Sequence, residues 1–283
     1  MARLLTHPVG VTILLLMTKV RIDLLVQQRG LAPTRTKAQR LVQAGQVRVD
    51  GQVVDKVGTR VDAEAEVTVV SLPRYVGRGA YKLIQALDLF GLDPKGLVAA
   101  DVGASTGGFT EVLLERGAAR VYAIDVGYGQ LHWRLRQDDR VVVMERTNAR
   151  HLEALPEPVA LVSIDVSFIS LRLILPRVAD WLAPGGQVVA LIKPQFEAGR
   201  EQVGKGGIVR DNAVHREVLV ELLSWAAQEG WRVRGCTNSP IEGADGNIEF
   251  LGWLDRSSGE QGLEPSVAAE RALADICSDE VVG

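Results

Sequence analysis

The spacing of apolar positions along the chain changes near residue 71, and the change divides it into two regions. Before that point the elements are short and local. I-D-L-L-V-Q-Q-R-G has the three-to-four-residue recurrence of an amphipathic helix and stops at Gly30. K-A-Q-R-L-V-Q-A repeats the pattern, with Thr36 placed to cap it and Gly45 to end it. Q-V-R-V-D-G-Q-V-V then alternates about Asp50-Gly51, a pair suited to a two-residue hairpin turn, and A-E-V-T-V-V closes a small sheet.

Past Arg78 the grammar is different. R-G-A-Y-K-L-I-Q-A-L-D-L-F predicts an amphipathic helix bearing Lys82. Apolar runs then end at Asp101, Asp125, V-V-V-M-E, Asp165 and Lys193, with helical stretches between them. A helix is expected before Pro184-Gly185-Gly186 and a long one over 212–229, followed by the strands W-R-V-R-G-C-T and N-I-E-F-L-G-W-L. Strands alternating with helices predict an α/β fold, a mostly parallel Rossmann-like sheet whose ligands sit at the carboxyl strand ends. A small α+β domain precedes it. The expected boundaries are 18–70 for the first domain, 71–77 for a linker and 78–255 for the second domain. Residues 256–283, rich in serine, glycine and acids, read as a flexible tail with one possible short helix, A-A-E-R-A-L-A-D-I.

The opening residues read as an addition. V-G-V-T-I-L-L-L-M is far too short to span a bilayer, and Lys19 and Arg21 follow with no small-residue cleavage site. Met17 begins M-T-K-V-R-I-D-L-L-V, a conventional start, so residues 1–17 are expected to be a non-native or disordered extension.

Chemistry concentrates in V-A-A-D-V-G-A-S-T-G-G-F-T, residues 98–110. A strand ends near Asp101, glycines stand at 103, 107 and 108, and E-V-L-L-E-R opens a helix. Glycines let a backbone turn and approach a ligand closely, and the helix start offers free N–H groups. The spacing departs from G-x-G-x-x-G, which weighs against a dinucleotide. An acid at the end of the second strand, Asp125, is placed for ribose hydroxyls, and one at the end of the first, Asp101, for a cationic amine. S-adenosylmethionine carries both groups. Its expected site comprises Asp101, Gly103, Ala104, Ser105, Thr106, Gly107, Asp125, Val126 and Asn148. The glycine-rich loop between Lys193 and the long helix, P-Q-F-E-A-G-R-E-Q-V-G-K-G-G-I-V-R-D, is expected to lack regular structure and to order over a substrate.

Charge distribution points to the substrate class. Net charge is −3, yet residues 1–82 carry 13 Lys and Arg against 6 Asp and Glu, and the rest 19 against 29. A basic front on an acidic body suits a polyanion. Arg35, Lys37, Arg40, Arg48, Lys56 and Arg60 spread over the second helix and the hairpin, as on a phosphate-binding face, and Arg74 and Arg78 extend it. Two cysteines, Cys236 and Cys277, fit neither a disulfide framework nor a zinc site, and the histidines lack metal-ligand spacing. A reducing, cytoplasmic location without a metal is expected.

Two resemblances sharpen this reading. R-I-D-L-L-V-x-x-R-G-L-A-x-T-R-x-x-A-x-x-L-V-x-x-G-x-V-x-V-x-G resembles the S-four RNA-binding domain, which reads structured RNA largely through shape and phosphates. The second region resembles FtsJ-type ribose 2′-O-methyltransferases, and the order of the two domains resembles the TlyA (hemolysin A) family. The matching stretches are G-R-G-A-Y-K-L, D-V-G-A-S-T-G-G-F-T, A-I-D-V-G-Y-G-Q-L-H, E-R-T-N-A-R, D-V-S-F-I-S-L, L-I-K-P-Q-F-E and G-N-I-E-F. Gly77 stands where Ser is common in that family, and Glu111 where Asp is common.

The resemblance implies a catalytic set of Lys82, Asp165, Lys193 and Glu249, with S-adenosylmethionine as cofactor, no metal, and methylation of cytidine ribose in the RNA of one or both ribosomal subunits. A ribose hydroxyl must lose a proton as it attacks. A lysine takes it only if burial or a neighbouring cation lowers its proton affinity, whereas carboxylates act the other way. The sequence leaves that balance open, as it does the oligomeric state. An RNA-binding protein with an inactive methyltransferase fold requires a broken cofactor turn or a missing lysine, and neither defect is present. A hemolysin requires a membrane-active segment, and the sequence offers none.

Overall fold

The computed structural model describes residues 4–6, 12–14, 19–70, 74–243, 246–257 and 261–279. They form two compact units, Met1–Arg74 and Tyr75–Gly283. At the amino end, Leu4–Thr6 pairs antiparallel with Thr12–Leu14, and the proposed start at Met17 lies outside the described residues.

The first unit packs two helices, Ile22–Gln28 and Arg35–Gln43, on short antiparallel strands. Ile22, Val26, Ala38, Val42 and Val47 form its fully buried centre. Asp50 and Gly51 both take positive φ, 49° and 79°, and join Val47–Val49 to Gln52–Val53 as the Asp-Gly pair predicts. The second helix begins earlier than its apolar spacing suggests. Its cap is Thr34, whose hydroxyl accepts the Lys37 N–H at 3.2 Å, and Thr36 lies inside the helix.

In the second unit we number the strands β1 (Val98–Val102), β2 (Arg120–Ile124), β3 (Val141–Met144), β4 (Val159–Ile164), β5 (Leu182–Ile192), β6 (Arg232–Asn238) and β7 (Phe250–Asp255). They form one sheet in the order β3-β2-β1-β4-β5-β7-β6. Pairing is parallel from β3 through β5 and antiparallel at β7 and β6. The helices are α1 (Ala80–Phe90), α2 (Gly108–Glu115), α3 (Trp133–Arg136), α4 (Leu175–Trp181), α5 (Pro194–Glu197), α6 (Asn212–Gln228) and α7 (Pro265–Asp279). Apolar residues alternate between two clusters on β1 and β4: Ala100, Val102, Val162 and Ile164 belong to one, Ala99 and Leu161 to the other. Strands buried on both faces explain the near-continuous apolar runs.

Three expectations are corrected here. The expected linker at 71–77 is shorter, because Tyr75 is buried in the second unit and its hydroxyl donates to Glu115 at 2.7 Å; residues 71–73 lie outside the described set. The loop after Lys193 is partly built: α5 opens it, a 3-10 turn spans Arg200–Gln202, and Val209 is clamped. Asn247 Oδ1 accepts the Val209 N–H at 3.1 Å, and His215 Nε2 lies 3.1 Å from its carbonyl oxygen. The expected flexible tail contains α7, which packs on α6 and β6 with Ala268, Ala269 and Ala272 fully buried. Small residues at i, i+1 and i+4 let a helix sit close to its neighbours without a strongly apolar signature.

Candidate functional site

The turn expected to hold the cofactor is built at the end of β1. Gly103 has φ 87°, and a Cβ there would stand 2.3 Å from the Asp165 carbonyl oxygen, so glycine is required on both counts. Ser105 also takes a left-handed φ, 48°, rare for a residue with a side chain. Its N–H bonds Asp125 Oδ2 at 2.8 Å, while the Gly127 N–H bonds Oδ1 at 2.6 Å. Each carboxylate oxygen of Asp125 keeps acceptor capacity for a hydroxyl group.

Asp101 is fully buried within β1. Its Oδ2 accepts the Thr110 N–H at 2.8 Å and the Thr110 hydroxyl at 2.6 Å. Ser163 Oγ lies 3.4 Å from Oδ1. Burial outweighs the Thr110 bonds and, with the Asp165 charge adding to it, pushes the Asp101 carboxyl up to about 7.

Two spaces with shared walls follow from this framework. A cleft of about 480 Å³ is lined by Gly103, Ser105, Asp125, Val126, Asn148 and Asp165, with Ile124, Ile169 and Ile174 as apolar walls. A cavity of about 150 Å³ shares Gly103, Ser105 and Asp165 with it and adds Asp101, Ala104, Thr106 and Gly77–Gly79. Eight of the nine cofactor positions expected from sequence therefore line one space or the other. Gly107 lines neither. Its φ of 99° turns the chain into α2, and a Cβ there would stand 2.2 Å from a Leu135 methyl, so it is a packing glycine.

The four residues of the implied catalytic set form two ion pairs at the same end of the sheet. Lys193 Nζ pairs with Asp165 Oδ1 at 2.7 Å and donates to Ser167 Oγ at 2.9 Å. Lys82 pairs with Glu249, and both are buried. Ile192 of β5 is the Cα partner of Phe250 of β7, so Lys193 and Glu249 extend the last rung of that ladder. Gly79 brings the start of α1 against the group, since a Cβ there would lie 3.7 Å from Asp165 Oδ2. Asp165 alone of the four lines the cleft and the smaller cavity. Sequence reasoning did not single out Thr110, Ser163 or Ser167. Thr110 and Ser167 lie inside recognised motifs, but only the fold shows which carboxylate or lysine each one serves.

In the first unit all six expected RNA-facing cations are exposed. Lys37 and Arg40 lie one turn apart on their helix, and Arg48 projects between buried Val47 and Val49. Arg35 has a further bond. Its Nε lies 2.9 Å from Oδ2 of the fully buried Asp23, which Arg21 and Gln39 also contact at 3.0 and 3.1 Å. Burial opposes ionisation of Asp23, but these bonds outweigh it and hold the carboxyl well below its usual range.

Comparison with known proteins agrees with this anatomy. Residues 75–256 match the FtsJ-like methyltransferase family, and residues 20–67 match the S4 domain. The 16S/23S rRNA (cytidine-2′-O)-methyltransferase TlyA of Mycobacterium tuberculosis is 46% identical over 265 residues, 91% of this chain and 98% of that protein. Hemolysin A of Brachyspira hyodysenteriae is 41% identical over 235 residues, 82% of this chain and 98% of that protein. A solved structure of a hemolysin-named protein from Streptococcus thermophilus has 46% identity and a TM-score of 0.71, covering 94% of this chain and 98% of its own. Among the described residues no helix is long and apolar enough to cross a membrane. The chain belongs to the TlyA family, in which an S4 domain precedes an FtsJ-like methyltransferase domain.

Proposed function

We propose that this chain transfers the methyl group of S-adenosylmethionine to the 2′-hydroxyl of a cytidine in ribosomal RNA. One observation carries the reading: the two-part cleft has a carboxyl group at each end and the Lys193–Asp165 pair where its parts meet. The larger part suits an adenosine, with Asp125 accepting from ribose hydroxyls and Ile124 and Ile174 against the base. The smaller part suits the methionine portion, with Asp101 facing its positive charge. When bound, S-adenosylmethionine supplies a methyl group already activated by its sulfonium.

The chain's own residues then act on the ribose. Lys193, once it has given its own proton to solvent, takes the hydroxyl proton as the oxygen attacks, and Asp165 and Ser167 fix where its nitrogen stands. Lys82, held by Glu249, remains the cation of the set as the oxygen attacks. Holding the hydroxyl in line with the methyl group lowers the barrier as well. The S4 domain supplies phosphate contacts through Lys37, Arg40, Arg48, Lys56 and Arg60, with Arg35 steadied by Asp23. Work on ribosomal RNA fits the expected cytoplasmic location.

The chemical assignment is tested in cells. Ribosomal RNA from a strain lacking the gene, complemented with wild-type protein, should carry a cytidine 2′-O-methyl group that Lys193→Ala fails to restore while still binding cofactor and RNA. Lys193→Arg should not restore it either, because a guanidinium keeps its proton. Methylation mapping reads this directly. A wild-type protein that restores no mark would overturn the function, and an active Lys193→Arg would exclude proton abstraction by this side chain.

Asp101 generates a pH dependence. A bound cation favours its carboxylate, so binding below pH 7 releases a proton. Cofactor affinity, measured by calorimetry, should weaken as pH falls from 7 towards 5, by at most about tenfold per pH unit. Asp101→Asn should bind weakly and lose that slope. A slope unchanged in Asp101→Asn would remove Asp101 from the site.

The RNA-binding face makes a separate prediction. The double reversal Lys37→Glu and Arg40→Glu should weaken binding to ribosomal subunits and lower its salt slope by about one for each phosphate that is no longer neutralised. Cofactor affinity should stay unchanged. Equal subunit affinity at every salt concentration would show that these two cations do not touch the RNA.

A further inference from the structure

Glu197 ends α5, the short helix that begins directly after Lys193. Its carboxylate is mostly buried and takes two bonds from the loop after β4. The Ser170 hydroxyl donates to Oε2 at 2.6 Å, and the Leu171 N–H donates to Oε1 at 2.8 Å. The same segment also grips the start of that loop, because Lys193 pairs with Asp165 and bonds Ser167. The 165–171 loop is thus fastened at both ends by two side chains of one short stretch. Between the fastenings Phe168 holds a φ of 63°, unfavourable for a bulky residue, and is 90% exposed. Its ring centroid lies 5.0 Å from that of Phe196, on the same short helix.

Val166, Ile169 and Leu171 pack on the core, while the polar fastenings hold the Ser167 and Ser170 side chains of the same loop. Ser167, Phe168 and Ile169 line the cofactor cleft, so movement of the loop displaces the cleft wall and the partners of Lys193 together. Burial raises the Glu197 carboxyl above its usual range against the pull of its two bonds. An apolar side chain fills a mostly buried position without that penalty, which argues for a role beyond folding.

We infer that Glu197 is a positioning residue for methyl transfer, fixing the far end of the 165–171 loop so that Asp165 and Ser167 hold the Lys193 nitrogen against the cleft. The inference rests on the proposed role of Lys193 and adds to it a residue that touches neither cofactor nor ribose. Glu197→Gln retains both bonds, since the amide oxygen accepts from Leu171 and the amide nitrogen donates to the Ser170 oxygen. Glu197→Ala retains neither.

The experiment compares full-length wild type, Glu197→Ala and Glu197→Gln on ribosomal subunits from a strain lacking the gene. Kinetics are measured well below each protein's unfolding temperature, alongside amide hydrogen exchange. Glu197→Ala should lose kcat by about tenfold or more, with KM for subunits within about threefold of wild type. Exchange at Leu171 should accelerate in the same variant. Glu197→Gln should keep kcat within about threefold and leave Leu171 protected. A Glu197→Ala enzyme with wild-type kcat overturns the inference, as does a Glu197→Gln enzyme as slow as the alanine variant. Should Glu197→Ala fail to fold, Ser170→Ala removes one of the two bonds, and an unchanged kcat there overturns it equally. A wild-type protein inactive on every subunit is a different outcome, which defeats the functional reading itself.

Discussion

Gly103 passes so close to the backbone of Asp165 that no side chain fits between them, and the site follows from that approach. β1 and β4 are neighbours at the point where the strand order turns, with β2 and β3 on one side and β5 on the other. A crevice opens at such a reversal because the connections leave in opposite directions. Gly103 and Asp165 line both parts of the cleft, and Asp165 also holds Lys193. A single crossing of two backbones therefore ties the glycine turn to the Lys193–Asp165 pair. A side chain at Gly103 forces the two strand ends apart and disturbs both at once.

The buried charges around this crossing are compensated in different ways. Lys82 and Lys193 each have a carboxylate partner, whereas Asp101 has only neutral donors, Thr110 and Ser163, among the described residues. An uncompensated buried carboxyl resists ionisation. Because its folded-state value lies above the ordinary one, Asp101 favours folding less as pH rises from the carboxylate range through about 7. The fold thus carries a standing deficit at neutral pH where a cation would relieve it.

Much of this was legible in the sequence because strand ends are. Asp125, Asp165 and Lys193 each close an apolar run, and the parallel sheet gathers those ends at one rim. The Asp50-Gly51 turn was legible because its two positive φ angles favour those residue types. What escaped depends on contacts between distant segments. The buried face of α7 is alanine, which hydrophobic periodicity barely registers, so the segment read as a tail. Thr34 and Thr36 are equally good caps by type, and only the helix start decides between them. Gly107 looks like a cofactor glycine in its motif, yet the leucines of the 131–135 segment claim its space. Arg35 reads as a free surface cation until the fold brings Asp23 beneath it.

The two spaces that meet at Gly103 and Asp165 should orient the cofactor with its methyl group towards Lys193, and the proposed methyl transfer depends on that orientation. A crystal structure of the full chain with S-adenosylmethionine tests it most directly. Ribose hydroxyls should lie on Asp125, the adenine beside Asn148 and Ile174, the amine at Asp101, and the sulfonium methyl should point to the Lys193–Asp165 pair. A cofactor bound with its ribose away from Asp125, or with its methyl directed away from Lys193, would contradict it.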